Sequence, residues 1–250
     1  MNHIRQQVIQ EYIEKKGVVT IRELRELYPS LSLMTIHRDL DALEAQNAVV
    51  KVRGGAKAVR HAGDPGFQDR LQENTDAKAA ITRKALELIR PDSSVFLDAS
   101  TTNLILARNL PDIRINVFTN APNIGLELCQ RLHNPVVTFC CGTINRRSQA
   151  VSGQSTLDML AKINIDLAFL GVSGCSAQAG FTCGTESEML VKRRVIEKAR
   201  TSVVMCDRTK LSRLMPYTFA ELGDVDYLIS EAPLPDALAQ AAAEAGLKVL

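Results

Sequence analysis

The chain has 250 residues, with 30 Lys and Arg against 28 Asp and Glu and 46% hydrophobic residues; that balance excludes a disordered tail or a collagen-like rod and predicts a globular protein. A net charge of +2 excludes a strongly basic nucleic-acid coat, though not a local basic patch. No apolar run reaches the roughly 18 residues of a membrane span, and the N-terminus MNHIRQQVIQEYIEKK has no apolar signal core, so a soluble cytoplasmic protein without a membrane partner is expected.

Residues 1–60 hold ten Lys and Arg against seven Asp and Glu, whereas the remainder holds twenty against twenty-one. The basic surplus thus sits in the first periodic block. Ile4, Val8, Ile9, Tyr12 and Ile13 recur at helical spacing, and Gly17 can close that helix in the left-handed region. Thr20 and Glu23 form a capping box for a second helix with Ile21, Leu24, Leu27 and Tyr28 inward. Ser32 caps a third helix whose inward positions are Leu33, Ile36, Leu40 and Leu43, with Asn47 as its exit. That leaves Met34, Thr35, His37 and Arg38 facing outward near its N-terminal end, where a helix resting on two others enters a major groove. Asp39 and Asp41 would repel DNA and are expected against basic neighbours in the protein. AVVKVRGGAKAVR then reads as a hairpin turning at Gly54-Gly55, a wing whose Lys51, Arg53, Lys57 and Arg60 lie along the phosphate backbone. The fold expected for residues 1–60 is a winged helix-turn-helix DNA-binding domain with Ser32, Met34, Thr35, His37, Arg38, Lys51, Arg53 and Lys57 at the DNA. The alternative is a trihelical domain that binds a protein or merely packs.

HAGDPGF, residues 61–67, opens a linker drawn to residue 75. From 76 to 250, after a helix at 76–90, β-type runs at 95–99, 115–119, 136–140, 166–172, 202–206, 226–230 and 247–250 alternate with helical stretches near 102–109, 122–132, 154–163, 186–200 and 235–245. Such alternation predicts an α/β domain with a mainly parallel sheet, whose ligands bind at the carboxyl ends of the strands. The clearest such end is Asp98-Ala99-Ser100-Thr101-Thr102, where small residues, hydroxyls and a helix N-terminus suit a dianionic phosphate. Asp98 would repel that phosphate, so it is assigned a sugar hydroxyl. Thr119 and Asn120, Gly142 with Arg146 and Arg147, and Asp207 with Lys210 add polar groups at other strand ends, Lys210 or an Arg serving as the phosphate's cation. The alternative reading of the first loop is an ordinary capped turn. Glu188 and Lys192, four apart on a helix, read as a surface ion pair. The six cysteines read as free thiols, mostly buried; none has metal-ligand spacing, and no metal or cofactor is expected.

LSLMTIHRDLDALEAQNAVVKVRGGA resembles the N-terminal signature of DeoR-type bacterial transcriptional regulators, matching it at Ser32, Thr35, Ile36, Arg38, Asp39, Leu40, Leu43, Glu44, Gly54, Gly55 and Ala56. His37 stands where that family usually has Arg, and Asn47 where it has Gly. The resemblance continues at Leu97 to Thr102, Thr119-Asn120, Gly142, Asp166, Phe169, Gly171, Gly180, Thr182, Glu188, Lys192, Asp207 and Lys210. It departs from the family pattern at Ala121 and Thr143. It implies an effector domain of the fold shared with ribose-5-phosphate isomerase. It also implies a sequence-specific regulator, a repressor more than an activator, of a carbohydrate catabolic operon. Its partners would be double-stranded operator DNA, a phosphorylated sugar and further copies of itself, as a homo-oligomer (dimer or tetramer). The alternative is an isomerase-like enzyme carrying a DNA-binding head, with Asp98, Asp207 and Lys210 for catalysis; no catalytic residue is assigned.

Overall fold

A computed structural model describes residues 2–29, 31–45, 49–52, 54–58 and 66–250, which fall into two units, Met1–Gly63 and Asp64–Leu250. Asn47, Arg53, Arg60 and positions 61–65 of the expected linker lie outside the described residues, as do the side chains of Ile4 and Lys57.

In the first unit the opening stripe forms α1 (Asn2–Lys16), and Gly17 closes it at φ +80°. After β1 (Val18–Thr20), α2 (Ile21–Leu27) starts on the expected capping box: Glu23 N–H donates to Thr20 Oγ1 at 3.2 Å, and Thr20 N–H donates to Glu23 Oε2 at 2.8 Å. Then α3 (Leu33–Ala45) begins where Thr35 N–H donates to Ser32 Oγ at 3.2 Å. Ile9, Ile13, Leu24, Ile36, Leu40 and Leu43 bury together with Val19, Val49 and Ala56. The hairpin is β2 (Val49–Val52) with β3 (Gly55–Ala58), Val52 opposite Gly55, and Gly54 takes φ +83° in the turn. Sequence periodicity missed β1, which adds to β3 so that the wing is a three-stranded sheet ordered β1-β3-β2. Gly55 is required there because a Cβ would run into the Val19 carbonyl.

The second unit opens with α4 (Phe67–Gln72) and α5 (Thr75–Leu86). Positions 67–72 of the expected linker are therefore a helix, anchored by buried Phe67 and partly buried Leu71. One apolar pair four apart is too short a stripe to separate from a loop in sequence. The sheet and its helices follow: β4 (Ser94–Leu97), α6 (Thr101–Asn109), β5 (Asn116–Thr119), α7 (Pro122–Arg131) and β6 (Val136–Phe139). A two-stranded ribbon, β7 (Thr143–Ile144) with β8 (Val151–Ser152), leads into α8 (Gln154–Leu160) and β9 (Ile165–Gly171). Next come β10 (Gly174–Ser176), β11 (Gly180–Cys183), α9 (Glu186–Lys198), β12 (Ala199–Met205), β13 (Tyr217–Ala220), β14 (Tyr227–Ile229), α10 (Asp236–Glu244) and β15 (Lys248–Val249).

Among the described residues the main sheet is ordered β15-β14-β12-β9-β4-β5-β6, every pair parallel. β10, β11 and β13 form a separate antiparallel sheet. Successive residues of the main strands enter opposite cores. Val95, Leu97, Leu167, Phe169, Val203 and Met205 pack with α5, α6 and α7, whereas Phe96, Ala168, Leu170 and Val204 pack with α8, α9 and α10. Burial on both faces is why these strands read as continuous apolar runs. The chain builds outward from β4 through β5 to β6, then returns to place β9 on the other side of β4. The reversal of strand order between β4 and β9 opens a crevice at their carboxyl ends, the place where ligands enter sheets of this kind.

Candidate functional site

The first unit presents the outward end of α3. Met34 is 80% exposed, and His37 and Arg38 are exposed beside it, whereas Ile36 and Leu40 on the opposite face are buried. The Ser32 and Thr35 hydroxyls lie 2.9 Å apart and share a hydrogen bond at the helix start. The two acids are neutralised within the unit. Buried Asp39 accepts from Arg5 Nε at 2.6 Å and from Gln6 Nε2 at 3.1 Å, which ties α3 to α1. Asp41 pairs with Lys51, and this hydrogen bond raises the Lys51 pKa. Lys51, expected along a phosphate backbone, is therefore held by a carboxylate of α3.

In the second unit two adjoining clefts open where β4 and β9 end. The first encloses about 510 Å³ of open space between Thr101, Thr102, Lys78, Arg70, Asp207 and Lys210. The second encloses about 370 Å³ between Asn120, Asn145, Ser148, Ser152, Thr185 and Ser187. Ala99, Glu188 and Lys192 line both. Ser100 caps α6 by accepting from Asn103 N–H at 3.1 Å, which leaves the Thr101 and Thr102 amides, first in the helix, without intrahelical acceptors. These amides, the helix dipole and the neighbouring cations make the first cleft suited to an anion.

Asp98 has a different task from the sugar contact expected of it. It is 3% exposed, and its oxygens accept from Asn103 Nδ2 at 2.7 Å, from Gly171 N–H at 2.9 Å and from Lys192. The carboxylate thus clamps β4 to β9 and α9. Gly171 must be glycine, since a Cβ there would overlap the Ser100 side chain. The surface ion pair expected of Glu188 and Lys192 is likewise corrected. Lys192 is 4% exposed, donates to the Gly171 carbonyl at 2.8 Å and stands 3.6 Å from Glu188. Burial disfavours its ammonium, but Asp98 and Glu188 outweigh that cost and its pKa is raised.

Lys78, which sequence reasoning passed over, is also buried on the first cleft. Its ammonium caps the end of α4 at the Arg70 and Glu73 carbonyls, and burial lowers its pKa against the partial support of Asp207. Asn74, at φ 50°, donates to Thr209 Oγ1 at 3.2 Å and so holds the α4–α5 junction beside Asp207. Asp207 in turn accepts from Thr209 N–H at 3.0 Å.

Of the other expected effector residues, Ser100, Thr101, Thr102, Asp207 and Lys210 line the first cleft, and Asn120 lines the second. Thr119, Gly142 and Arg146 line neither. Thr119 is buried, with its hydroxyl donating to the Leu97 carbonyl at 2.7 Å and accepting from Ala121 N–H at 3.0 Å. Gly142 and Arg146 are exposed because the chain leaves β6 as the β7–β8 ribbon, whose turn brings Asn145 and Ser148 to the second cleft instead. Among the described residues no group of three His, Cys, Asp or Glu is arranged to hold a metal ion.

A helix-turn-helix head followed by an α/β domain with an anion-suited crevice is the architecture of a ligand-responsive regulator. Residues 5–62 match the family described as the DeoR-like helix-turn-helix domain, and residues 73–232 match the DeoR C terminal sensor domain. The chain is 33% identical over 248 residues to an uncharacterized HTH-type transcriptional regulator, YgbI, of Escherichia coli (strain K12), covering 98% of this chain and 96% of that one. It is 28% identical over 231 residues to the glycerol-3-phosphate regulon repressor of the same strain, covering 92% and 91%. The chain belongs to the DeoR family of helix-turn-helix transcriptional regulators. A solved ribose 5-phosphate isomerase from Methanocaldococcus jannaschii shares 16% identity at a TM-score of 0.41, covering 56% of this chain and 55% of that one.

Proposed function

We propose that this regulator is a repressor of a carbohydrate catabolic operon, released or tightened by a phosphorylated sugar, and that it catalyses no reaction. The observation that carries the reading is the N-terminus of α6, where Thr101 and Thr102 line a cleft with Lys78, Arg70 and Lys210 at the strand reversal. The regulated system named for the glycerol-3-phosphate relative is consistent with a phosphorylated effector. Against isomerase chemistry, the Asp98 oxygens are taken up by Asn103, Gly171 and Lys192, so Asp98 is no free base for a substrate carbon. The DNA is read by Met34, Thr35, His37 and Arg38 on α3, with Ser32 capping it and Arg53 and Lys57 on the wing, and Lys51 joins them by exchanging its exposed pairing with Asp41 for a phosphate. One such module makes few contacts, so the protein acts in the cytoplasm as a symmetric homo-oligomer on paired half-sites.

Coupling runs through α4. Among the described residues it is the first helix of the second unit, and cleft-lining elements hold it at both ends. Lys78 caps its C-terminus, and its first N–H, on Phe67, donates to the Arg147 carbonyl at 2.8 Å in the β7–β8 turn. An anion drawing on Lys78 competes with the carbonyls of α4, and a difference of about 1–3 kcal/mol between the two arrangements is enough for regulation. The test is a thermal-shift screen with sugar phosphates, followed by operator footprinting around the protein's own gene with each ligand found. A bound effector at 100 times its Kd should stabilise by about 2.7 kcal/mol and change operator affinity at fixed salt. Absence of both effects across the panel would refute the reading, and turnover of an aldose phosphate by pure protein would favour the enzyme instead.

A further inference from the structure

The two clefts meet at one charged pair, and their linings differ in kind. Arg70, Lys78 and Lys210 stand on the first, whereas the residues particular to the second are Asp98 and neutral side chains. The lysine between them is spent: Lys192 donates to Asp98 and to the Gly171 carbonyl and is ion-paired with Glu188. The acceptors are not all spent. Asp98 is turned inward as described, but the Glu188 carboxylate stays 26% exposed and 3.6 Å from the Lys192 ammonium, beyond hydrogen-bond range. The Glu188 backbone is anchored by its N–H, which donates to Thr185 Oγ1 at 3.3 Å in the cap of α9. Buried Asn120 adds a second acceptor. Its Nδ2 donates to the Val151 carbonyl at 3.0 Å, which orients the amide, and its Oδ1 has no partner among the described residues.

A compartment with surplus acceptors and, among the described residues lining it, no free cation calls for a ligand that brings donors and no negative charge. Resting on the phosphate reading of the first cleft, we propose that Glu188 is the specificity-determining residue of the effector site. It accepts hydrogen bonds from hydroxyls at the unphosphorylated end of the effector and repels a carboxylate at that end. The effector class is then a phosphorylated sugar or polyol with a hydroxyl-bearing tail, and phosphorylated sugar acids are excluded.

The test is calorimetry on the full chain with two matched pairs, glycerol 3-phosphate against 3-phosphoglycerate and glucitol 6-phosphate against 6-phosphogluconate, with inorganic phosphate as reference. In at least one pair the hydroxyl-ended member should bind about tenfold or more tightly than the acid. Glu188→Gln should bring that ratio to within about twofold, and Glu188→Asp, which keeps the charge, should preserve the preference. A ratio near unity in the native protein, or one that survives in Glu188→Gln, overturns the assignment while leaving the phosphate reading standing. Failure of all five probes to bind overturns both. A thermal melt of each variant checks that the fold is intact.

Discussion

Lys192 and Asp98 form a buried ion pair whose worth lies in what happens when it is broken. Lys192→Met leaves the Asp98 carboxylate in the interior with two neutral donors, and such an uncompensated charge costs about 3–5 kcal/mol. The double variant Lys192→Met with Asp98→Asn should recover a large part of that loss. Calorimetric melts of the full chain check both, and a double variant no more stable than the single would show that the pair is not coupled. The sequence held a signal for this arrangement that a charge-based reading overrides. Glu188, Val191, Lys192 and Val195 stand at i, i+3, i+4 and i+7, the spacing of an inward helix face, and Val191, Lys192 and Val195 are indeed buried. Residue type suggested a solvated pair, while position indicated the interior. Asp98 was hidden for the opposite reason: its partners Gly171 and Lys192 are 73 and 94 positions away, and no local pattern reports them.

At the level of elements, the first unit depends on a cap that titrates. The Lys16 ammonium, followed by the Thr20 backbone and hydroxyl, holds the Glu23 carboxyl at about 2 against its ordinary 4.5. A carboxylate whose folded pKa is depressed contributes stability that is full above the unfolded value and lost as pH falls through the folded one. Helicity of the first unit should therefore decline between about pH 4.5 and 2. Glu23→Gln should flatten that part of the circular-dichroism profile, and an unchanged profile would place the acid sensitivity elsewhere. Elements with long period signals were legible: α1, α2 and α3 came from their stripes and caps, and the parallel strands from apolar runs buried on both faces. The short ones were not. β1 has three residues, β7 and β8 two each, and their existence is decided by partners distant in sequence, as in the pairing of Val19 with Ala56.

For the whole molecule, reading DNA and sensing a ligand should be separable by single substitutions. Arg38→Ala is expected to abolish operator recognition in a mobility-shift assay while the thermal shift with effector stays as in the native protein. Thr101→Ala should do the reverse, weakening the effector response at unchanged basal affinity. If Arg38→Ala binds the operator normally, a different surface enters the groove. Operator affinity should also fall steeply with salt, log K dropping by about 0.9 per phosphate contact for each tenfold rise, and a flat dependence would contradict a wing laid on the backbone.

The buried cluster that holds α1, α2 and α3 together draws all its side chains from residues 9–56, and the two clusters flanking the large sheet draw theirs from residues 67–247. Among the described residues each of these clusters is built within its own unit, so the joint is a natural place to cut and splice. A chimera that grafts another family member's head onto this crevice, joined ahead of α4, should answer to this protein's metabolite while obeying the donor's promoter. Diversification of such regulators by exchanging parts, with address and stimulus drifting independently, is what this division of the interior permits.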